Sequence, residues 1–155
     1  MNKYQKQTLD AIKDRAIMYL YLFEGMEKKF GAESAKEILK SATYRRGVDK
    51  GKKYKNAKND LNKVAQIFTT CSPADGNIFK PKKIKSDKDT AALTMSSCPL
   101  VAAWKEHGLS KSKIKLMCDL SKEIDFGTFE SNGLKLDFKS TIGAGDKCCR
   151  LELRR

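Results

Sequence analysis

Leu134–Leu153, LKLDFKSTIGAGDKCCRLEL, is the stretch that most constrains the fold of this 155-residue chain. Leu134, Leu136, Phe138 and Ile142 alternate with Lys135, Asp137, Lys139 and Thr141, the period-two pattern of a half-buried strand. Gly143, Gly145 and Asp146 turn the chain back. Cys149, Leu151 and Leu153 then share the inward side of a second strand, with Arg150 and Glu152 outward and Cys148 of opposite parity. Strands that are apolar on one side only need a core against that side.

Working outward, period two recurs upstream. Phe79 to Ser86 alternates roughly, and Lys80, Lys82, Lys83 and Lys85 keep one side wet, as edge strands do to discourage pairing with another chain. Asp87, Lys88 and Asp89 make a turn into a strand over Thr90 to Ser97, giving an antiparallel hairpin.

Two helices are predicted between the strand pairs. Pro99 suits a first helical position, since the donor it lacks has no partner there. That puts Cys98 at the N-cap of a helix running from Leu100 to His107. Unpaired N–H groups and the helix dipole favour a thiolate at that position; the alternative is a thiol standing in for a capping serine. Gly108 ends the helix and Ser110 caps the next, from Lys111 to about Ile124, with Ile114, Met117, Cys118, Ser121 and Ile124 inward. Asp125 falls at its C-terminus, where the dipole disfavours an anion. Either it caps the Phe126-Gly127 loop, or it carries a raised pKa suited to proton transfer.

The front of the chain reads as helical. Leu9, Ile12, Ala16, Leu20, Phe23 and Phe30 recur at helical spacing over residues 4–30, and Gly31 stops the run. A second helix starts near Glu33 with Ala35, Ile38, Leu39 and Ala42 on one face. It continues into a basic run, Arg45, Arg46, Lys50, Lys52 and Lys53, loosened by Gly47 and Gly51. A third starts at about Asp60 on Leu61, Val64, Ala65 and Phe68, and breaks at Cys71 to Gly76. The expected fold class is α+β: N-terminal helices packed on a four-stranded antiparallel sheet made by the C-terminal half. Residues 1–155 form one domain in this reading, helical over 1–76, with sheet, two helices and the site over 77–155.

Five cysteines at irregular spacing favour reduced thiols and a cytoplasmic location over a disulfide framework. The run AIMYLYLF is too short to cross a bilayer, so no membrane partner is expected. The net charge is +13, of which +10 lies in residues 1–90. Lysine dominates it and few aromatics interleave the basic runs, so a solvated face is favoured over nucleic-acid binding. The spacing of Cys98, Cys118 and Cys149 lacks any CxxC pair, and with His107 it makes only a weak zinc pattern. Acid–base or nucleophilic chemistry by Cys98 with Asp125, or a pocket that binds without reacting, fits the same residues.

The order Cys98-Pro99, then Cys118 with Asp125, then Thr141, Gly145-Asp146 and Cys149 resembles the L-2-amino-thiazoline-4-carboxylic acid hydrolase family. The resemblance covers about residues 90–153; the Cys148-Cys149 doublet departs from it. It implies a hydrolase that opens a 2-aminothiazoline ring bearing a carboxylate toward N-carbamoyl-cysteine, with no cofactor and no metal. On that resemblance Cys98, Asp125 and Cys149 stand at the reaction. Cys118, Thr141 and Asp146 line the pocket, and Arg45, Arg46 or Arg150 meets the carboxylate of an anionic small-molecule substrate. The ending T-x3-GD-x2-C is also similar to the tail of 4-vinyl-reductase-type domains, which implies small-molecule binding without catalysis.

Overall fold

The computed structural model describes residues 1–155. Its elements in chain order are α1 (Lys3–Phe30), α2 (Ala32–Gly51), α3 (Leu61–Thr70), β1 (Pro81–Ser86), β2 (Thr90–Met95), α4 (Pro99–Glu106), α5 (Lys111–Ser121), α6 (Glu123–Glu130), β3 (Lys135–Ser140) and β4 (Cys149–Arg154). The four strands make one sheet in the order β1-β2-β4-β3, antiparallel throughout. The α+β class and the C-terminal antiparallel sheet are therefore as expected. The register pairs Leu93 with Leu151, and Leu151 with Phe138. One row of apolar side chains thus crosses three strands on the core side.

The buried side chains fall into two clusters. One joins α1, α4 and α5 through Ile12, Ala16, Leu20, Phe23, Leu100, Val101, Trp104, Ile114, Met117 and Leu120. Trp104 is wholly buried, and its indole Nε1–H donates to Ala16 O at 2.9 Å; without that partner its burial would carry a desolvation cost. The other cluster joins α3, the end of α6 and the sheet through Leu61, Val64, Phe129, Leu136, Leu151 and Leu153. Ile142 packs against both.

Four expectations about the helices are corrected. The inward face of α2 is Ala35, Leu39, Thr43, Gly47 and Gly51, while Ile38 is 44% exposed and Ala42 is also exposed. Gly47 and Gly51 do not loosen this helix; they let it cross α6 at backbone contact. A Cβ on Gly47 would stand 2.1 Å from Ile124 O, and one on Gly127 would stand 2.1 Å from Tyr44 O. Phe30, expected on the inner stripe of α1, is 53% exposed. The long helix ending near Ile124 is in fact two. Lys122 joins α5 to α6 with its backbone still near helical angles, and residues 126–127 are helix, not loop. Asp125 therefore lies in the first turn of α6, where the dipole favours an anion, and not at a C-terminus. The strand expected over residues 134–142 is shorter, because the pairing shifts between Phe138 and Ser140 and a 3-10 turn takes over at Ile142–Ala144.

Candidate functional site

The gap between the two clusters is a cavity of about 430 Å³, within the range that holds small-molecule ligands. One turn-spaced stripe of α1, Thr8, Ile12, Arg15 and Tyr19, lines one wall. Leu100, Val101 and Trp104 of α4 continue its apolar surface, and Phe68, Phe79, Met95 and Phe138 face in from α3 and the sheet side.

Cys98, Cys118 and Cys149, three segments apart in sequence, all reach this cavity, as do Asp125 and Thr141. Pro99 at the start of α4 makes Cys98 the N-cap, as expected from the sequence. The expected thiolate is not what its surroundings favour. Burial pushes the Cys98 thiol up, and the nearby amides of Val101 and Leu100, which pull it down, do not outweigh that. No capping hydrogen bond to the side chain forms. Desolvation exceeds the helix-terminus effect because the site is deep and apolar.

The other two thiols flank the turn between β3 and β4. Cys149 Sγ accepts the Ile142 N–H at 3.4 Å, and burial lifts its pKa to about 12. Cys118 fills the space where a side chain on Gly143 would sit: a Cβ there would lie 2.4 Å from Cys118 Sγ. Glycine at 143 is thus what lets the turn close over the thiol. Burial, with Cys98 and Asp119 nearby, raises the Cys118 thiol to about 11. No group of three or more cysteine, histidine or acidic side chains has the spacing to hold a metal ion.

Asp125 is the acid in the cavity wall. Its side chain is 18% exposed and stands 3.9 Å from Lys50 Nζ. Burial raises its carboxyl above the ordinary range, and Lys50 offsets this only in part. The carboxyl pKa is thus raised, as one of the two sequence alternatives had it, but by desolvation at a helix start instead of dipole repulsion at a helix end. Ser121, one turn before it, has a buried hydroxyl oxygen with no hydrogen-bond partner. An orphaned buried hydroxyl costs about 1–3 kcal/mol, and Ser121 too lines the cavity.

The remaining expected site residues divide. Arg46 lines the cavity, but Arg45 and Arg150 do not. Arg45 faces outward beside Ala42, Val48 and Asp49, because α2 turns its small-residue side inward. Arg150 points away from the core on β4 and ion-pairs with Glu152 at 3.6 Å. Asp146 is also outside the cavity wall: its Oδ2 accepts the Thr141 N–H at 2.9 Å and ties the turn shut. It shapes the site through Thr141. Sequence reasoning missed Arg15, Lys50 and Lys53 as cavity cations and Cys71 as a thiol at the rim. The two lysines sat in a run that the dipole of a helix end already explained. Arg15 had a signal, since it falls one helical turn from Ile12 and Tyr19.

A family model described as L-2-amino-thiazoline-4-carboxylic acid hydrolase matches residues 10–153. The chain belongs to the L-2-amino-thiazoline-4-carboxylic acid hydrolase family. The match includes the helical front, which the resemblance in the sequence motifs did not reach. In this family member the motif positions Cys98, Cys118, Asp125, Thr141 and Cys149 are the ones that converge on the cavity. The fold is shared with a crystal structure of a trafficking protein particle complex subunit 3 from Naegleria fowleri, covalently bound to palmitic acid. The TM-score is 0.61 at 12% identity, covering 93% of this chain and 94% of that one. No curated protein matches. No helix is long and apolar enough to cross a membrane.

Proposed function

We propose that this family member hydrolyses a cyclic isothiourea bearing a carboxylate, of the 2-aminothiazoline-4-carboxylate type, in the cavity between its two cores. The observation that carries this reading is Asp125, a carboxyl with a raised pKa facing a cavity that holds three thiols and a cationic side. Water attacks the ring carbon between nitrogen and sulfur, and Asp125 takes the proton the water loses. The carbon–sulfur bond breaks, the sulfur leaves with its electron pair and is protonated to a thiol, and the ring nitrogen takes the second proton. The net change adds one water and gives an N-carbamoyl amino thiol. The proton that Asp125 took from water is the one delivered to the departing sulfur, because Cys98 and Cys149, held as thiols by burial, are weaker acids than the thiol being formed; Cys98 acts as nucleophile only if Asp125 first removes its proton. Thr141, Cys118 and Ser121 shape the pocket, and Arg46 with Lys50 meets the carboxylate. Arg45, Arg150 and Asp146 have no direct part in it.

Incubation with L-2-amino-thiazoline-4-carboxylate should release thiol detectable by a colorimetric reagent. Asp125→Asn should lower turnover by roughly 10²–10⁴ with folding intact, the range for losing a general acid or base. A folded protein with no turnover of this or related isothioureas would sink the reading. The second reading, a binding pocket without catalysis, is supported by the raised pKa of all three cavity thiols, since none is activated at rest. The neighbour's covalently bound palmitic acid supports it only by showing that this fold is able to hold an organic ligand.

A further inference from the structure

The cavity is larger and more apolar than a five-membered ring acid requires. Fourteen of its 26 lining residues are hydrophobic, and they are grouped. Ile12, Leu100, Val101 and Trp104 form one continuous wall drawn from the α1–α4–α5 cluster. Apart from Arg15 on α1 and Lys122, which pairs with Asp119, the cations of the cavity lie on α2 and the turn after it. Arg46 and Lys53 are exposed, Lys50 is half-buried, and all three border the cavity. Neither Arg46 nor Lys53 has a carboxylate within ion-pairing distance, and Lys50 has only Asp125, at 3.9 Å. Burial and the neighbouring Lys50 push the Lys53 ammonium below its ordinary pKa, so an anion placed between them relieves a repulsion already present. A hydrated surface lysine cluster would not border a void walled with tryptophan, leucine and valine.

We infer that the ligand of this cavity is an amphipathic acid: an anionic group held by Arg46, Lys50 and Lys53, joined to an apolar arm that lies along Ile12, Leu100, Val101 and Trp104. This rests on the reading of the cavity as the functional site, and it names the class of molecule that site selects. A ring acid carrying an alkyl or aryl substituent meets the requirement, as does a simple medium-chain carboxylate. A bare ring acid leaves the apolar wall uncovered and forgoes the burial that gives affinity.

Calorimetric titration with decanoate, butyrate and decanol separates the contributions. Decanoate should bind, and butyrate should bind at least a hundredfold more weakly, since each buried methylene contributes about fourfold. Decanol should bind more weakly than decanoate. The double variant Arg46→Gln, Lys53→Gln, altered only at exposed positions, should erase that difference without changing the affinity for decanol. Equal affinity for butyrate and decanoate would overturn the inference, as would decanoate binding that the double variant leaves unchanged. Turnover of the unsubstituted ring acid with no decanoate binding would overturn this inference alone. Decanoate binding without turnover of any isothiourea would overturn the hydrolase reading alone.

Discussion

The thiols differ in accessibility far more than in sequence context. Cys71 is exposed at the cavity rim, whereas Cys98, Cys118 and Cys149 are enclosed and held protonated by desolvation. Alkylation proceeds through the thiolate, and each unit of pKa above the working pH lowers its fraction about tenfold. Brief treatment with iodoacetamide near neutral pH, followed by mass spectrometry, should modify Cys71 first and leave the three cavity thiols largely intact. Rapid modification of Cys98 would mean that the helix N-terminus outweighs burial after all. The helix-start signal at Cys98 was legible from Pro99. Its sign was not, because desolvation depends on the cavity walls, which include Ile12, Phe138 and other side chains far away in sequence.

At the scale of elements, the crossing of α2 and α6 sets the geometry of the acid. Gly47 and Gly127 meet backbone carbonyls at distances that no Cβ tolerates. Two hydrogen bonds, Thr128 Oγ1 to Gly47 O at 3.2 Å and Asn132 Nδ2 to Gly51 O at 3.0 Å, lock the crossing. Lys50 lies on α2 and Asp125 on α6, so this contact fixes their separation. Gly127→Ala should destabilise by about 1–3 kcal/mol or more through overpacking, lowering the melting temperature by roughly 2–4 °C per kcal/mol in a chain of this size. Gly25→Ala is the control. Nothing lies within 4 Å of a Cβ at that position, and it is inside α1, so alanine should stabilise by about 0.5–1 kcal/mol. Equal effects at the two glycines by thermal denaturation would contradict the crossing. Glycine in a helical pattern ordinarily signals a break, which is why α2 and α6 were legible as elements only in part.

Across the whole molecule the charge is one-sided, at net +13. Most of its ion pairs are exposed or half-exposed, and such pairs contribute about 0–1 kcal/mol each. Self-repulsion among the surplus lysines is longer in range and is screened within about 10 Å at 0.1 M salt. The melting temperature should therefore rise by a few degrees as sodium chloride is raised from low to moderate concentration. A fall would show that the ion pairs dominate. β1 contributes to this surplus: Lys82, Lys83 and Lys85 are exposed on a sheet edge, where their charge opposes edge-to-edge pairing with another copy.

The sequence by itself determined the α+β class, the four strands, the inward parity of Cys149, Leu151 and Leu153, and the N-cap position of Cys98. These follow from periodicity and from proline and glycine chemistry, which act within a few residues. The family resemblance in the C-terminal third was legible for the same reason, since it rested on short ordered motifs. Only the tertiary structure decided the strand order, the break at Lys122 that moved Asp125 to a helix start, and which arginine reaches the cavity. Each of those depends on a side chain's distance from groups far along the chain: the glycine contacts between α2 and α6, the meeting of two cores around Ile142, and the desolvation that their enclosure imposes.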